Sequence, residues 1–226
     1  TVQAAANGMS EYDKTVVVSM GMPVHGVQGK TATSTVTIVN TDPEPAVSFG
    51  SASSSGEERT SPVRLEVVLS AASGKPVQVG YGVKGGTAVR GKDYALPGGV
   101  LTFEPGETKK TLVVDIRSSG TYKDDKTLEL VLEDPKNAVL GTGTVHTHTI
   151  VNIAPQPAVA FLRANSRSAG KPGPARLEVG LSVPSGKPVR VEYGVVGGTA
   201  EEGKQYVLKA GVLTFAPGET LKEIEL

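Results

Sequence analysis

The chain has 226 residues, of which 23 are Lys or Arg and 23 are Asp or Glu, so its formal net charge is zero. A neutral chain has no long-range attraction for nucleic acid or for an anionic membrane, and no stretch approaches the roughly 18 apolar residues of a membrane helix. The absence of cysteine excludes disulfides, thiolate nucleophiles and cysteine-based metal sites.

Short strands with one apolar face are predicted along the chain, and no stretch has helical periodicity. Apolar and polar residues alternate over 63–69, as they do in a half-buried strand. The same alternation returns at 77–83, 112–116 and 128–132, and turn-forming residues such as Gly85-Gly86 separate these runs. About seven short strands in about 110 residues predict an all-β sandwich of two antiparallel sheets.

The sequence matches itself without a gap at a shift of 112 positions (155 − 43), with about half of the overlapping positions identical. We therefore divide the chain into three segments. The first segment (1–42) is the C-terminal half of a repeat, the middle segment (43–154) is a complete repeat, and the last segment (155–226) is the N-terminal part of a further repeat. Because the chain begins and ends within the same part of the repeat, we expect the parent protein to continue in both directions.

Two stretches of the middle segment carry a family resemblance. Gly86-Thr87-Ala88 precedes Asp93-Tyr94, and Leu101-Thr102-Phe103 precedes Pro105-Gly106-Glu107-Thr108. In this order the residues resemble the Calx-beta repeat, and the resemblance covers essentially the whole chain. It implies tandem immunoglobulin-like Greek-key sandwiches of about seven strands each. The repeats look most similar to those of large bacterial cell-surface or extracellular proteins.

In the calcium-binding members of this family, carboxylates from several loops meet at one end of the sandwich. Asp93 matches one of these acidic positions, but its counterpart in the last segment is Gln205. The resemblance places an acidic pair on 118–119, which are serines here, and two glutamates on Lys123 and Lys126. Because calcium takes six to eight oxygen ligands, several of them anionic, we predict no metal site, and we predict no cofactor or catalytic site.

A weak surface calcium site is the alternative to this prediction. It would use Asp93, Asp124 and Asp125, together with Glu57 or Glu58. The competing interpretation of Asp124 and Asp125 is a polar loop flanked by lysines.

A pair of histidines lies on the last strand of the middle segment. His146 and His148 are two positions apart, so both side chains point to the same face. Zinc needs three or four ligands, and no acidic or histidine partner stands at a suggestive spacing. We therefore predict that the pair lies on the surface of the strand.

No phosphate loop backed by a helix and no nucleophile motif at a strand-to-helix turn is present, so we do not expect an enzyme. We predict a non-catalytic structural repeat of an extracellular stalk, adhesin or filament, of bacterial origin. Its partners would be neighbouring repeats or other copies of itself, and the partial segments would assemble head to tail by completing one sandwich between molecules. A chain that simply continues beyond both segments explains them equally well. The alternative function is a calcium-binding regulatory or adhesion module.

Overall fold

The computed structural model describes residue 5 and residues 7–167 and 175–226. In chain order the strands are β1 (Lys14–Ser19), β2 (Thr33–Ile38), β3 (Ala46–Phe49), β4 (Ser53–Glu57), β5 (Val63–Leu69), β6 (Val77–Gly86), β7 (Tyr94–Ala95), β8 (Gly99–Phe103), β9 (Lys109–Ile116), β10 (Lys126–Lys136), β11 (Val139–Leu140), β12 (Val145–Val151), β13 (Val159–Phe161), β14 (Arg176–Leu181), β15 (Val189–Tyr193), β16 (Gly211–Phe215) and β17 (Leu221–Glu225). These residues include no helix, and hence no helix that could cross a membrane.

The middle segment contains two five-stranded sheets, with the strand orders β4-β12-β10-β6-β8 and β11-β3-β5-β9-β7. β5 pairs with β9, and β6 pairs with β8 and β10, all antiparallel, whereas the short β11 runs parallel to β3. The predicted all-β sandwich is confirmed, with more strands than the seven expected. β7 and β11 have only two residues each, and β4 lies in a run of serines that lacks apolar alternation.

Alternating apolar residues from both sheets form the core of the middle segment. Leu65, Val67 and Leu69 of β5 are buried while Arg64 and Glu66 between them are exposed. The buried residues of the other strands include Val47, Phe49, Val77, Val79, Phe103, Leu112, Val114, Ile116, Leu128, Leu130, Leu132 and Ile150. Burial of each large apolar side chain contributes about 1.5–3 kcal/mol, so this core is the main source of stability.

The Gly-Thr-Ala motif shapes the end of β6. Gly86 has a φ of 109°, and a Cβ at this position would overlap the carbonyl oxygen of Thr127, so only glycine fits. The backbone N–H of Thr127 donates to the Thr87 hydroxyl at 3.0 Å, and the N–H of Ala88 donates to the Thr127 carbonyl at 2.9 Å. The motif thus fastens the turn after β6 to the start of β10.

The first and last segments expose residues whose counterparts are buried in the middle segment. In the first segment, β1 and β2 form an antiparallel hairpin in which Val18 is 46% exposed, whereas the equivalent Leu130 is 0% exposed. In the last segment, β13, β14 and β17 form one sheet and β15 and β16 another. Its core is built on Val179, Phe215 and Ile224, but Phe161 is 55% exposed where the equivalent Phe49 is 5% exposed.

The chain divides into two compact units. The first consists of Thr1–Gly56, Thr60–Arg117 and Thr127–Thr149, and the second of Glu57–Arg59, Ser118–Lys126 and Ile150–Leu226. Asp93 and the histidine pair therefore belong to the first unit, and the loop that carries Asp124 and Asp125 belongs to the second.

Candidate functional site

An asparagine directly after β12 organises the loop that carries Asp124 and Asp125. The backbone N–H of Asn152 donates to Asp125 Oδ1 at 2.8 Å, and its side-chain Oδ1 accepts the Lys123 N–H at 3.1 Å. Asn152 Nδ2 donates to the Thr121 carbonyl at 3.1 Å and to Glu58 Oε1 at 3.0 Å. One residue thereby fixes three points of the loop and the Glu58 carboxylate, two of the loop points through its side chain and one through its backbone.

The first segment repeats this arrangement 112 positions earlier. Asn40 accepts the Glu11 N–H at 3.2 Å, donates through Nδ2 to the Met9 carbonyl at 2.9 Å, and donates through its backbone N–H to Asp13 Oδ1 at 2.9 Å. The second Nδ2 hydrogen bond goes to Asp42 Oδ2 at 3.1 Å. The recurrence of asparagine at positions 40 and 152, one repeat apart, is a signal in the sequence that could have identified this role.

Glu58, one of the weak calcium candidates, is buried beside a lysine. Its Oε2 lies 3.4 Å from Lys123 Nζ, with the Glu58 side chain 1% exposed and the Lys123 side chain 14% exposed. That Oε2 atom accepts no hydrogen bond, so the ammonium group supplies its charge compensation. Lys123 occupies a position where the family resemblance predicts a glutamate, and it brings a fixed positive charge to the remaining carboxylate.

The two loop aspartates have different environments. Asp124 is 78% exposed and forms an ion pair with Lys187, whose pKa is raised by the hydrogen bond to this carboxylate. Asp125 is engaged by the Asn152 backbone N–H. These contacts fit the interpretation of Asp124 and Asp125 as part of a polar loop flanked by lysines.

Asp93 is buried and closes its own turn. Its Oδ2 accepts the Val89 N–H at 2.9 Å, and Gln205 Oε1 accepts the equivalent Glu201 N–H at 2.8 Å in the last segment. A neutral amide therefore performs the same local task as this carboxylate. The proposed role of Asp93 in a surface calcium site does not fit its burial.

These residues do not fit a calcium ion. Calcium requires several oxygens directed at one point, with enough negative charge to balance a dication. Glu58 faces an ammonium group and an amide, Asp125 faces a backbone N–H, and Asp93 faces inward. Over 7–167 and 175–226, no group of three or more histidine or acidic side chains is placed to hold a metal.

The prediction that the histidine pair lies on the strand surface is wrong, because His146 and His148 are both buried. The Ser54 hydroxyl of β4 lies 2.7 Å from His146 Nε2 and 2.8 Å from His148 Nδ1. His146 Nδ1 lies 2.7 Å from the Ser51 carbonyl, which can only accept. With both rings neutral, His148 Nδ1–H therefore donates to the Ser54 hydroxyl, which in turn donates to His146 Nε2. The Phe49 ring lies 5.5 Å from the ring of His146.

This chain of hydrogen bonds leaves His148 Nε2 as a buried acceptor without a partner. Burial, and secondarily the charge of His146, lower the pKa of His148 from its ordinary value of 6.5. When the pKa of a base is lower in the folded state than in the unfolded state, its contribution to the free energy of unfolding is complete at pH values above the unfolded-state pKa. This contribution decreases as the pH falls below the unfolded-state pKa, because the unfolded state then binds the proton more readily.

We therefore expect the free energy of unfolding to decrease as the pH falls from about 7.5 to 5.5, with His148→Val flattening this dependence. Valine is the residue at the equivalent position 36. Urea titrations at a series of pH values measure the effect. His25→Gln is the control, because His25 is exposed. A pH dependence that survives His148→Val unchanged would exclude this role for the pair.

Comparison with known proteins gives a family and several relatives. A family model described as the Calx-beta domain matches residues 40–157 and 155–226. The human Extracellular matrix organizing protein FRAS1 is 29% identical over 164 residues, which cover 67% of this chain and 4% of that protein. Extracellular matrix protein 3 of Lytechinus variegatus is 27% identical over 229 residues, covering 96% of this chain and 7% of that protein.

The chain thus spans only a small part of the curated relatives it matches. Both relatives are animal proteins, so the predicted bacterial origin finds no support in them. Among solved structures, the apo-form Calx CBD1 domain is 21% identical with a TM-score of 0.46, covering 48% of this chain and 96% of that chain. The CBD12 fragment of CALX1.2 is 23% identical with a TM-score of 0.47, covering 80% and 73%.

Proposed function

The chain belongs to the Calx-beta domain family, and from this membership we propose that it is a non-catalytic structural module of an extracellular protein. The names of its relatives, which describe extracellular matrix proteins, support the location. Its partners are neighbouring repeats of the same kind, arranged in tandem as the 112-residue repeat indicates. The proposed repeat boundaries are those of the three segments defined above.

The observation that carries this proposal is the pairing of Glu58 with Lys123. In a calcium-regulated module, a bound dication would supply the positive charge that organises this end of the sandwich. In this chain the Lys123 ammonium and the Asn152 amide meet the buried carboxylate. The module is therefore organised by its own side chains, which suits a spacer that keeps one structure at any calcium concentration.

Calorimetric titration with calcium tests the proposal against its alternative, a calcium-binding regulatory or adhesion module. We expect no saturable heat and no change in melting temperature between millimolar calcium and a chelator. Asp124 is the exposed carboxylate of the loop, and a calcium-binding module would have to use it. Saturable binding at micromolar calcium that is lost in Asp124→Asn would overturn the structural proposal.

The finer proposal is head-to-tail assembly by completion of half-sandwiches. Residues 14–38 match 126–150 at the repeat spacing. The β1–β2 hairpin within 14–38 exposes valines at positions whose equivalents in the middle segment are buried. The last segment exposes Phe161 in a groove lined by Val159, Val191 and Leu213. The hairpin of a second copy has the apolar residues to cover this groove.

Size-exclusion chromatography with light scattering, over a range of concentrations, tests the assembly. Concentration-dependent oligomers that Val18→Lys abolishes are expected. The assembly would be refuted if the protein stays monomeric at high concentration while amide exchange shows that β1–β2 and β13–β17 are protected. The proposed structural role would be unaffected by this result.

A further inference from the structure

A Ser-Gly-Lys-Pro loop precedes both β6 and β15, and we call these two copies (73–76 and 185–188) the SGKP loops. Within the first compact unit, the N–H of Gly74 donates to the Ser10 carbonyl of the first segment at 2.8 Å. The Ser73 hydroxyl donates to the same carbonyl at 3.2 Å. Ser10 and Ser73 are both buried, so these hydrogen bonds are shielded from water.

The second compact unit contains the same contact. The N–H of Gly186 donates to the Tyr122 carbonyl at 2.8 Å, and Ser185 is buried. Ser10 and Ser73 form a parallel bridge, as do Tyr122 and Ser185. Since Tyr122 and Gly186 lie 112 positions after Ser10 and Gly74, one contact occurs twice between successive segments (122 − 10 and 186 − 74).

Each SGKP loop is held in shape by its own segment before it meets its neighbour. The Ser73 hydroxyl accepts the Lys75 N–H at 3.0 Å, and the Ser73 carbonyl accepts the Gly106 N–H at 2.9 Å. The last segment repeats both hydrogen bonds, with Lys187 to Ser185 at 3.0 Å and Gly218 to Ser185 at 2.8 Å. The Pro-Gly-Glu-Thr turn, part of the family motif, thus supports the SGKP loop, and a preformed loop loses little entropy on docking.

Close approach of the preceding segment favours glycine in the loop. A Cβ at Gly74 would lie 2.8 Å from the Glu11 Cβ, and one at Gly186 would lie 3.1 Å from the Tyr122 carbonyl oxygen. No positive φ is involved at either position, so the reason for glycine is the neighbouring segment rather than the turn itself.

The lysine of the loop adds a contact that differs between the two copies. Lys75 Nζ lies 5.4 Å from the centroid of the Tyr12 ring, a cation–π distance. Lys187 pairs with Asp124 and lies 6.0 Å from the Tyr122 ring. The backbone contact is therefore constant, while the partner of the lysine varies from one junction to the next.

We propose that the SGKP loop is the connector between successive repeats, and that its ligand is the loop that precedes β1 in the first segment and β10 in the middle segment. The partner it fits is a second repeat whose loop offers a backbone carbonyl at the position of Ser10 or Tyr122, with a tyrosine or aspartate nearby for the lysine. The middle segment carries both halves, the SGKP loop at 73–76 and the acceptor loop at 121–125, so the contact propagates along a tandem array. This inference rests on the proposed structural role and specifies how repeats recognise each other.

Amide hydrogen exchange on the full chain, followed by NMR, tests the connector. The amides of Gly74 and Gly186 are expected to exchange at least about tenfold more slowly than unprotected amides, because each is bonded to a carbonyl of the adjacent segment. Exchange of both at unprotected rates would overturn the proposal. The readout is independent of calcium, so a failure of the connector is distinguishable from a failure of the structural role.

Gly74→Ala and Gly197→Ala form a matched pair for the same measurement. Alanine at 74 meets the Glu11 side chain, whereas a Cβ at Gly197 meets no atom within 4 Å. We expect Gly74→Ala to raise exchange at residue 74 about tenfold or more and to leave Gly186 protected, with Gly197→Ala changing neither. Unaltered exchange at residue 74 in Gly74→Ala would contradict the role of the glycine.

Discussion

Lys123→Met is expected to lower the free energy of unfolding by about 3–5 kcal/mol, the usual cost of removing one partner of a buried ion pair. The Glu58 carboxylate would remain buried with one hydrogen bond from Asn152 and no hydrogen bond on Oε2. Methionine keeps the length and apolar surface of the lysine stem, so the loss reports the ammonium group rather than packing. Urea unfolding followed by tyrosine fluorescence measures it, since the chain has six tyrosines and no tryptophan.

Lys109→Met is the matched control. Lys109 forms an ion pair with Glu66 at 2.8 Å, but its side chain and that of Glu66 are largely exposed. A surface pair of this kind contributes about 1 kcal/mol at most. Equal effects of the two substitutions would show that the burial of the Glu58–Lys123 pair has no energetic consequence.

Asn152→Ala is expected to cost about 2–4 kcal/mol, because it removes three side-chain hydrogen bonds at once and leaves buried groups unsatisfied. The Lys123 N–H, the Thr121 carbonyl and Glu58 Oε1 would all lose their Asn152 partner. Thermal unfolding and amide exchange at residues 121–125 measure the loss. The loop should become exchange-competent before the core strands do.

Asn40→Ala provides the comparison within the same chain. Asn40 makes the equivalent hydrogen bonds to Glu11 and Met9, but it follows a hairpin that is largely exposed. We expect a smaller effect on global stability, since water can replace the lost partners there. An Asn152→Ala variant as stable as the unmodified chain would mean that the loop is held by other contacts.

The strands of the middle segment could be predicted because their apolar alternation is regular. The runs at 63–69, 77–83, 112–116 and 128–132 all lie in strands of the structure. β4 escaped prediction because Ser53-Ser54-Ser55-Gly56 has no apolar side chain to reveal a face. Its place depends on pairing with β12, a strand some 90 positions later in the chain (145 − 53), and local sequence carries no record of such pairing.

The site shows a similar division. The sequence indicated that lysines replace expected acidic residues at 123 and 126, but the contact between Lys123 and Glu58 joins positions 65 apart (123 − 58) and needed the structure. The prediction that the two histidines are exposed was wrong, although the sequence contained a signal for their burial. His146 and His148 share a face with Ile150, which is buried, so the apolar residue already indicated the inward direction.

A double-mutant cycle between Glu58 and Lys123 tests most directly whether the Lys123 ammonium group replaces a metal ion as the positive charge beside the buried Glu58 carboxylate. The free energy of unfolding is measured for the unmodified chain, Glu58→Gln, Lys123→Met and the double variant. The buried pair at 3.4 Å predicts a coupling energy of about 2 kcal/mol or more, with the double variant more stable than Lys123→Met alone. Additivity to within about 0.5 kcal/mol would contradict it.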